Sequence, residues 1–221
     1  MEFKTDALVL KATDYKENDK LLTLFTPSKG KVTAGIRGVR KRGAKLSFAA
    51  QPFCFAEYVL AEKGGRYTVT AAYLYDGFYS LRTDIARYYA ACSVLEICNA
   101  LLVEEGESEA VFIAAVEALK GLALTEGDAA ELLLSFSLTA LHQSGYMIDL
   151  DGCGICGGEV KGNAYFDFEA GYFTCSDCAS GVRASESTYQ TLRKCAGLSY
   201  DEEKTSGGGK RALRLIKTYP V

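Results

Sequence analysis

The chain has 221 residues, of which 48% are apolar and 24% are charged, and its formal net charge is -3. A chain of this length can bury a hydrophobic core in one or two domains. It contains no run of 18 apolar residues, and its first residues lack the apolar segment and cleavage site of a signal peptide. We therefore expect a cytoplasmic protein that makes no contact with a membrane.

The charge is unevenly distributed along the chain. Residues 1–80 contain 13 Lys and Arg against 8 Asp and Glu, whereas the remainder contains 12 against 20. A basic segment within an acidic protein indicates a local anionic partner, which the net charge alone does not suggest.

Residues 1–79 are predicted to form a small β-barrel. Turn residues at 26–30 and a Gly-Gly hairpin signal at 63–66 separate short strand-like segments. Within one of these segments, Val32, Ala34 and Ile36 alternate with more polar or smaller residues, as a half-buried strand requires. Four or five strands over about 75 residues favour an OB-type barrel.

Residues 80–221 are predicted to form a helical domain, which makes the fold class α+β. The apolar period changes to about 3.6 after residue 79. Helices are expected at 82–102, 108–122 and 126–143, starting near Ser108 and Thr125, with Gly145 as a C-terminal cap. A flexible link at 206–209 precedes a final helix.

Two Cys-x-x-Cys pairs, Cys153 with Cys156 and Cys175 with Cys178, are separated by 18 residues. This spacing is typical of a four-cysteine zinc site. Two residues between ligands let both sulfurs of a pair face one ion, and two pairs complete a tetrahedron. Because four thiolates leave no position for water, we expect one structural Zn²⁺ per chain.

The segment around these cysteines is predicted to be a zinc ribbon inserted at about residues 150–182. Residues 164–168 and 172–173 indicate a hairpin that turns at 169–171. The alternatives are ordinary buried thiols or a redox pair, but redox Cys-x-x-Cys motifs normally open a helix of a βαβ unit, which is absent here.

The other titratable candidates are assigned structural roles. Cys54, Cys92, Cys98 and Cys195 lie in apolar segments, where cysteine behaves as a small hydrophobic residue. His142 is the only histidine, and it is placed at a helix end or on the surface.

Residues 37–45 carry five cations in nine positions, interleaved with glycines that let a phosphate approach the backbone. Such a loop on a small barrel can follow a nucleic-acid backbone. The alternative is a solvated loop without a partner, because a basic run is only an electrostatic footprint. The predicted DNA-contacting residues are Lys31, Arg37, Arg40, Lys41, Arg42 and Lys45, and the candidate stacking side chains are Phe48, Phe53 and Tyr58.

No enzyme motif is complete. Gly38 and Gly43 have the glycine spacing of a phosphate-binding loop, but Ala44 stands where that loop needs lysine. The Gly-rich segment before Lys210 fails because Arg211 follows where a magnesium-binding Ser or Thr is required. We expect no catalysis and no nucleotide binding.

The chain resembles the RecO family of bacterial recombination mediators along most of its length. The segments that carry the resemblance are 7–10, 15–26, 30–31, 38–41, 51–53, 81–84, 95–96, 145–146 and the first cysteine pair with Gly157. The last residues, 219–221, are expected to fall short of the family's complete final helix.

This resemblance implies an N-terminal OB-fold, a helical C-terminal domain and a zinc module that some members lack. It further implies binding to single- and double-stranded DNA, annealing of complementary strands, and loading of RecA onto DNA coated by single-stranded DNA-binding protein, in concert with RecR. We therefore expect the protein to act in the cytoplasm, in association with the nucleoid. Two alternatives remain open: a zinc-ribbon protein-interaction scaffold without direct DNA binding, and a thiol-dependent oxidoreductase.

Overall fold

The computed structural model describes residues 2–102, 106–124, 127–198, 202–205 and 208–218. Residue contacts divide the chain into two compact units, 1–125 (unit 1) and 126–221 (unit 2). The predicted helix start at Thr125, the first two residues of the glycine-rich link and the last three residues of the chain lie outside the described part. Within that part, no helix has the length and apolar character needed to cross a membrane.

Unit 1 begins with a closed five-stranded barrel in the order β1-β2-β3-β5-β4. Neighbouring strands are antiparallel except β3 and β5, which pair in parallel at two positions. The strands are β1 (Glu2–Tyr15), β2 (Asp19–Thr26), β3 (Gly30–Ile36), β4 (Phe55–Lys63) and β5 (Arg66–Asp76). The predicted OB-type barrel is confirmed.

The barrel core comes from the alternation seen in the sequence. Val32, Ala34 and Ile36 are buried while Thr33 is exposed, and β2 faces them in register with Leu22 opposite Ala34. The Gly-Gly hairpin is also as predicted, since β4 and β5 meet at Lys63 and Arg66 across two glycines with positive φ angles.

Two helices complete unit 1: α1 (Ile85–Leu101) and α2 (Glu109–Leu124). The first begins three residues later than its predicted start at residue 82, because residues 79–83 form a 3-10 turn and the Asp84 carboxylate caps the helix by accepting from the Arg87 N–H. The ring of Phe112 in α2 lies 5.1 Å from Phe25 of the barrel, centroid to centroid. Both helices therefore belong to the same compact unit as the barrel.

Unit 2 combines three helices with a small sheet in the order β7-β6-β8. The Asp128 carboxylate caps the first helix by accepting from the N–H groups of Ala130 and Glu131, and Gly145 ends it at φ 86°. The elements are α3 (Ala129–Gln143), β6 (Ala164–Asp167), β7 (Tyr172–Thr174), β8 (Val182–Ala184), α4 (Glu186–Cys195) and α5 (Gly209–Lys217). The predicted ribbon hairpin is β6 and β7, whereas β8 and α4 were not predicted.

Candidate metal centre and nucleic-acid interface

The four cysteines predicted as zinc ligands meet at one point of unit 2. The sulfur atoms of Cys153, Cys156, Cys175 and Cys178 all lie within 4.8 Å of one another. The Cys156 and Cys175 sulfurs are 3.9 Å apart. Four sulfurs about 2.3 Å from one ion at the corners of a tetrahedron are about 3.8 Å from each other, so this spacing fits a metal ion.

The backbone around the first pair forms a tight knuckle. The Gly157 N–H donates to the Cys153 carbonyl and the Cys153 N–H donates to the Gly158 carbonyl, both at 2.8 Å. Gly157 adopts φ 70°, which glycine reaches at low cost. These bonds hold the backbone around the first cysteine pair in a tight turn.

The electrostatics of the cluster favour a bound cation. Backbone N–H groups of Cys156 and Cys175 donate to the Cys153 sulfur and lower the pKa of this thiol to about 6. In contrast, hydrogen bonding to the Cys156 and Cys175 sulfurs raises the pKa of Cys178 to about 12. Four thiolates in so small a space repel one another, and a divalent cation removes that repulsion. The donor set therefore fits a closed thiolate metal site.

Aromatic packing joins this cysteine module to the rest of unit 2. The rings of Phe166 and Phe173 have centroids 4.7 Å apart, and Tyr189 of α4 lies 5.0 Å beyond Phe173. The Tyr189 hydroxyl donates to the Leu150 carbonyl at 2.9 Å. An added Cβ at Gly154 would lie 2.4 Å from the Tyr172 ring, so the knuckle is packed directly against β7.

The other cysteines lie apart from the cluster, as predicted, but only two are core residues. Cys54 and Cys98 are buried, and burial raises the pKa of Cys98 to about 12. Cys92 and Cys195 are half-buried. His142 is exposed at the end of α3, in agreement with its predicted surface position.

The basic loop, residues 37–45, connects β3 to the segment before β4 and is exposed at every predicted cation. Its conformation is fixed by contacts with the β1–β2 turn. The Asp19 carboxylate accepts from the Gly38 N–H at 2.8 Å, and the Arg40 N–H donates to the Asn18 carbonyl at 3.0 Å. The loop therefore presents its cations on an ordered backbone.

Two of the six predicted DNA-contacting cations are engaged within unit 1. The Arg40 guanidinium lies 3.3 Å from the Asp14 carboxylate, and the Lys31 amine donates to the Asn99 carbonyl at 3.1 Å. In the described part of the chain, no ion pair involves Arg37, Lys41, Arg42 or Lys45. These four cations are the most accessible to an anionic ligand.

The predicted stacking residues are wrong in two of three cases. Phe53 and Tyr58 are 1% and 0% exposed, and the Tyr58 hydroxyl donates a hydrogen bond to the Ala49 carbonyl. Phe48 is half-buried against the same core. Sequence reasoning missed the exposed tyrosines of β5, Tyr73 and Tyr75, which lie on the barrel surface.

The fold, the basic loop and the cysteine cluster define a class of protein: an OB-type barrel with an ordered basic loop, combined with helices and a four-cysteine module. Comparison with known proteins narrows this class. Residues 1–78 match the family model "Recombination protein O N terminal", and residues 82–217 match "Recombination protein O C terminal". The chain therefore belongs to the Recombination protein O family.

Curated relatives agree with the family models. A protein of Clostridium novyi named "DNA repair protein RecO" is 33% identical over 86% of this chain and 75% of its own length. The protein of the same name from Myxococcus xanthus is 33% identical over 89% of this chain and 80% of its own. A third, from Desulforamulus reducens, is 32% identical over 86% of this chain and 76% of its own. DNA repair is the process to which the family belongs.

Proposed function

We propose that this protein is a recombination mediator that binds single- and double-stranded DNA and anneals complementary strands. It also helps to load RecA onto DNA coated by single-stranded DNA-binding protein, together with RecR. The proposal rests on family membership across both parts of the chain. It places the protein in the cytoplasm, in association with the nucleoid.

The exposed basic loop is the structural observation that supports direct DNA binding. Its accessible cations lie within nine residues, and the loop is held on a barrel by backbone hydrogen bonds. Cations neutralise phosphates and release condensed counterions, which gives affinity without base contacts. Two strands can then be brought together without hydrolysis of a cofactor, so the proposed activity is non-enzymatic.

We assign the cysteine cluster to one structural Zn²⁺, held by Cys153, Cys156, Cys175 and Cys178. The sulfur spacing and the closed set of four thiols support this choice. When bound, the ion supplies folding free energy to a module whose own strands are only three or four residues long.

The experiment that tests the function is a salt-dependent titration of the protein with single- and double-stranded oligonucleotides. We expect binding to both, with affinities that fall steeply as salt increases and change little with sequence. An absence of DNA binding at low salt, with zinc bound and the protein folded, would leave the protein-interaction scaffold as the better description.

A further inference from the structure

Helix α5 presents a second basic surface, in unit 2. All four cations of the helix are exposed, and no acidic residue lies between its ends. They are Lys210, Arg211, Arg214 and Lys217. Unit 2 has 9 Lys and Arg against 13 Asp and Glu over residues 126–221, so nearly half of its positive charge is concentrated in this one helix.

The spacing places these cations on one side of the helix. Lys210, Arg214 and Lys217 follow the i, i+4, i+7 pattern, which keeps them within one face, and Arg211 flanks it. The opposite face carries Ala212, Leu215 and Ile216, all buried. The helix is therefore amphipathic, with an apolar side turned into unit 2 and a cationic side turned to solvent.

The start of α5 is held closely against α4. A Cβ added at Gly208 would lie 2.1 Å from the Thr191 hydroxyl and 2.4 Å from the Ser187 carbonyl, so only glycine fits there. The Thr191 hydroxyl in turn donates to the Thr205 carbonyl at 3.1 Å, just before the helix. The α5 cations therefore lie on a helix whose start is packed against α4.

Among the residues that the structure describes, the cations of α5 form no ion pair with an acidic side chain. Over the described residues, the ion pairs of unit 2 join Lys161 to Glu159, Arg193 to Asp151, Lys194 to Glu131 and Lys204 to Glu186, and none involves α5. Glu131, the carboxylate beside the start of α5, is held by Lys194 at 2.7 Å.

We infer that the exposed face of α5 is a second nucleic-acid contact surface, which binds the sugar–phosphate backbone separately from the basic loop of unit 1. This inference rests on the proposed DNA-binding function. From Lys210 to Lys217 the helix rises roughly 10 Å at about 1.5 Å per residue. One strand of a duplex carries a phosphate about every 3.4 Å along the axis, so this face spans roughly three phosphates.

The side chains on the exposed face of α5 favour a sugar–phosphate backbone over a protein partner. Arginine binds phosphate oxygens through two parallel N–H groups, and lysine adds a compact point charge. A peptide-binding helix face would also offer exposed apolar anchors. On α5, however, the long apolar side chains Leu215 and Ile216 are buried and Leu213 is half-buried.

The test compares two double variants of the full-length, zinc-loaded protein. Arg214→Gln with Lys217→Gln removes two α5 cations, while Lys161→Gln with Arg183→Gln removes two exposed cations elsewhere in unit 2. In a single-stranded oligonucleotide titration, the α5 variant should lower the slope of log affinity against log salt by about 1.4, because each lost contact removes about 0.7. The control variant should keep the wild-type slope.

A second variant separates charge from helix stability. Arg214→Lys with Lys217→Arg keeps both charges and should keep the wild-type slope. If the glutamine variant retains the slope while the wild-type protein binds DNA, the inference is overturned and the proposed function stands. If the wild-type protein binds no DNA, both fail together. Polyglutamate at matched charge provides the remaining comparison. If it competes as strongly as the oligonucleotide, and if this competition is lost in the α5 glutamine variant, the occupant of α5 is an acidic peptide and the inference is overturned.

Discussion

The four cysteine side chains of the cluster differ in exposure. Cys153 is buried, Cys156 is exposed, and Cys175 and Cys178 are half-buried. Their common property is that each contributes one sulfur to the same small volume. Removing any one sulfur leaves three, so each residue should be necessary for a closed metal site.

Cys175→Ser should reduce zinc content from about one ion per chain to near zero and destabilise unit 2. The physical reason is that loss of a structural ligand removes metal-binding energy that contributes to folding. Elemental analysis and thermal unfolding measure the two effects on protein purified without chelators.

Cys195→Ser is the matched control for this prediction. Cys195 lies outside the cluster and its thiol donates to the Glu131 carbonyl, a contact that a serine hydroxyl can keep. Its zinc content should equal that of the wild type. A wild-type protein without zinc would refute the metal assignment itself.

At the scale of elements, the basic loop is more than a run of charge. Two backbone hydrogen bonds attach it to the β1–β2 turn, and Arg40 is partly neutralised by Asp14. The exposed cations without an ion pair in the described chain should therefore contribute most of the loop's phosphate contacts.

The triple variant Arg37→Ala, Lys41→Ala, Arg42→Ala should flatten the salt slope for single-stranded DNA by about 2, since each lost phosphate contact removes about 0.7. Affinity should fall equally for all sequences, because phosphate contacts carry no base information. Folding should change little, at about 0.5 kcal/mol or less per exposed site. Fluorescence titration and thermal unfolding provide the measurements.

A triple alanine variant at Lys120, Lys161 and Arg183, which lie outside both basic surfaces, is the control and should bind as the wild type does. Unchanged affinity and slope in the loop variant would mean that the loop is only solvated. The DNA contacts of the protein would then have to lie elsewhere, with α5 as the next surface to test.

At the scale of the whole molecule, each compact unit carries one basic surface: the loop in unit 1 and α5 in unit 2. The two proposed backbone-binding surfaces would give one chain a physical basis for holding two strands. The functional division predicted between residues 79 and 80 stays a prediction. The division by residue contacts is a different one, since it places α1 and α2 in one compact unit with the barrel.

The protein alone should accelerate annealing of complementary oligonucleotides without any nucleotide, since the sequence has no complete phosphate-binding loop. The rate should fall as salt increases, because both proposed surfaces bind phosphate. A fluorescence-quenching assay measures the rate, with the loop triple variant as a slower comparison. Annealing that requires ATP hydrolysis by the pure protein would contradict this prediction.

The sequence alone determined the barrel, the main helices and the cysteine cluster. Alternation in β3 and the Gly-Gly hairpin are local signals, and metal-ligand spacing fixes which sulfurs can share an ion. The strand β8 was missed because its three residues form a strand only by pairing with β6. Helix α4 had a usable signal, since Ser185 caps it by accepting from the Thr188 N–H.

Only the tertiary structure decided which of these residues are available to a ligand. Phe53 and Tyr58 are aromatic residues near a basic loop, yet folding turns them into the interior. Arg40 lies in the basic run, yet the barrel brings Asp14 to its guanidinium. Burial and ion pairing depend on residues that are distant in sequence, whereas strand alternation and Cys-x-x-Cys spacing depend on neighbours. This difference is why the sequence predicted the fold and the cysteine cluster more fully than the accessibility of the proposed DNA-contacting residues.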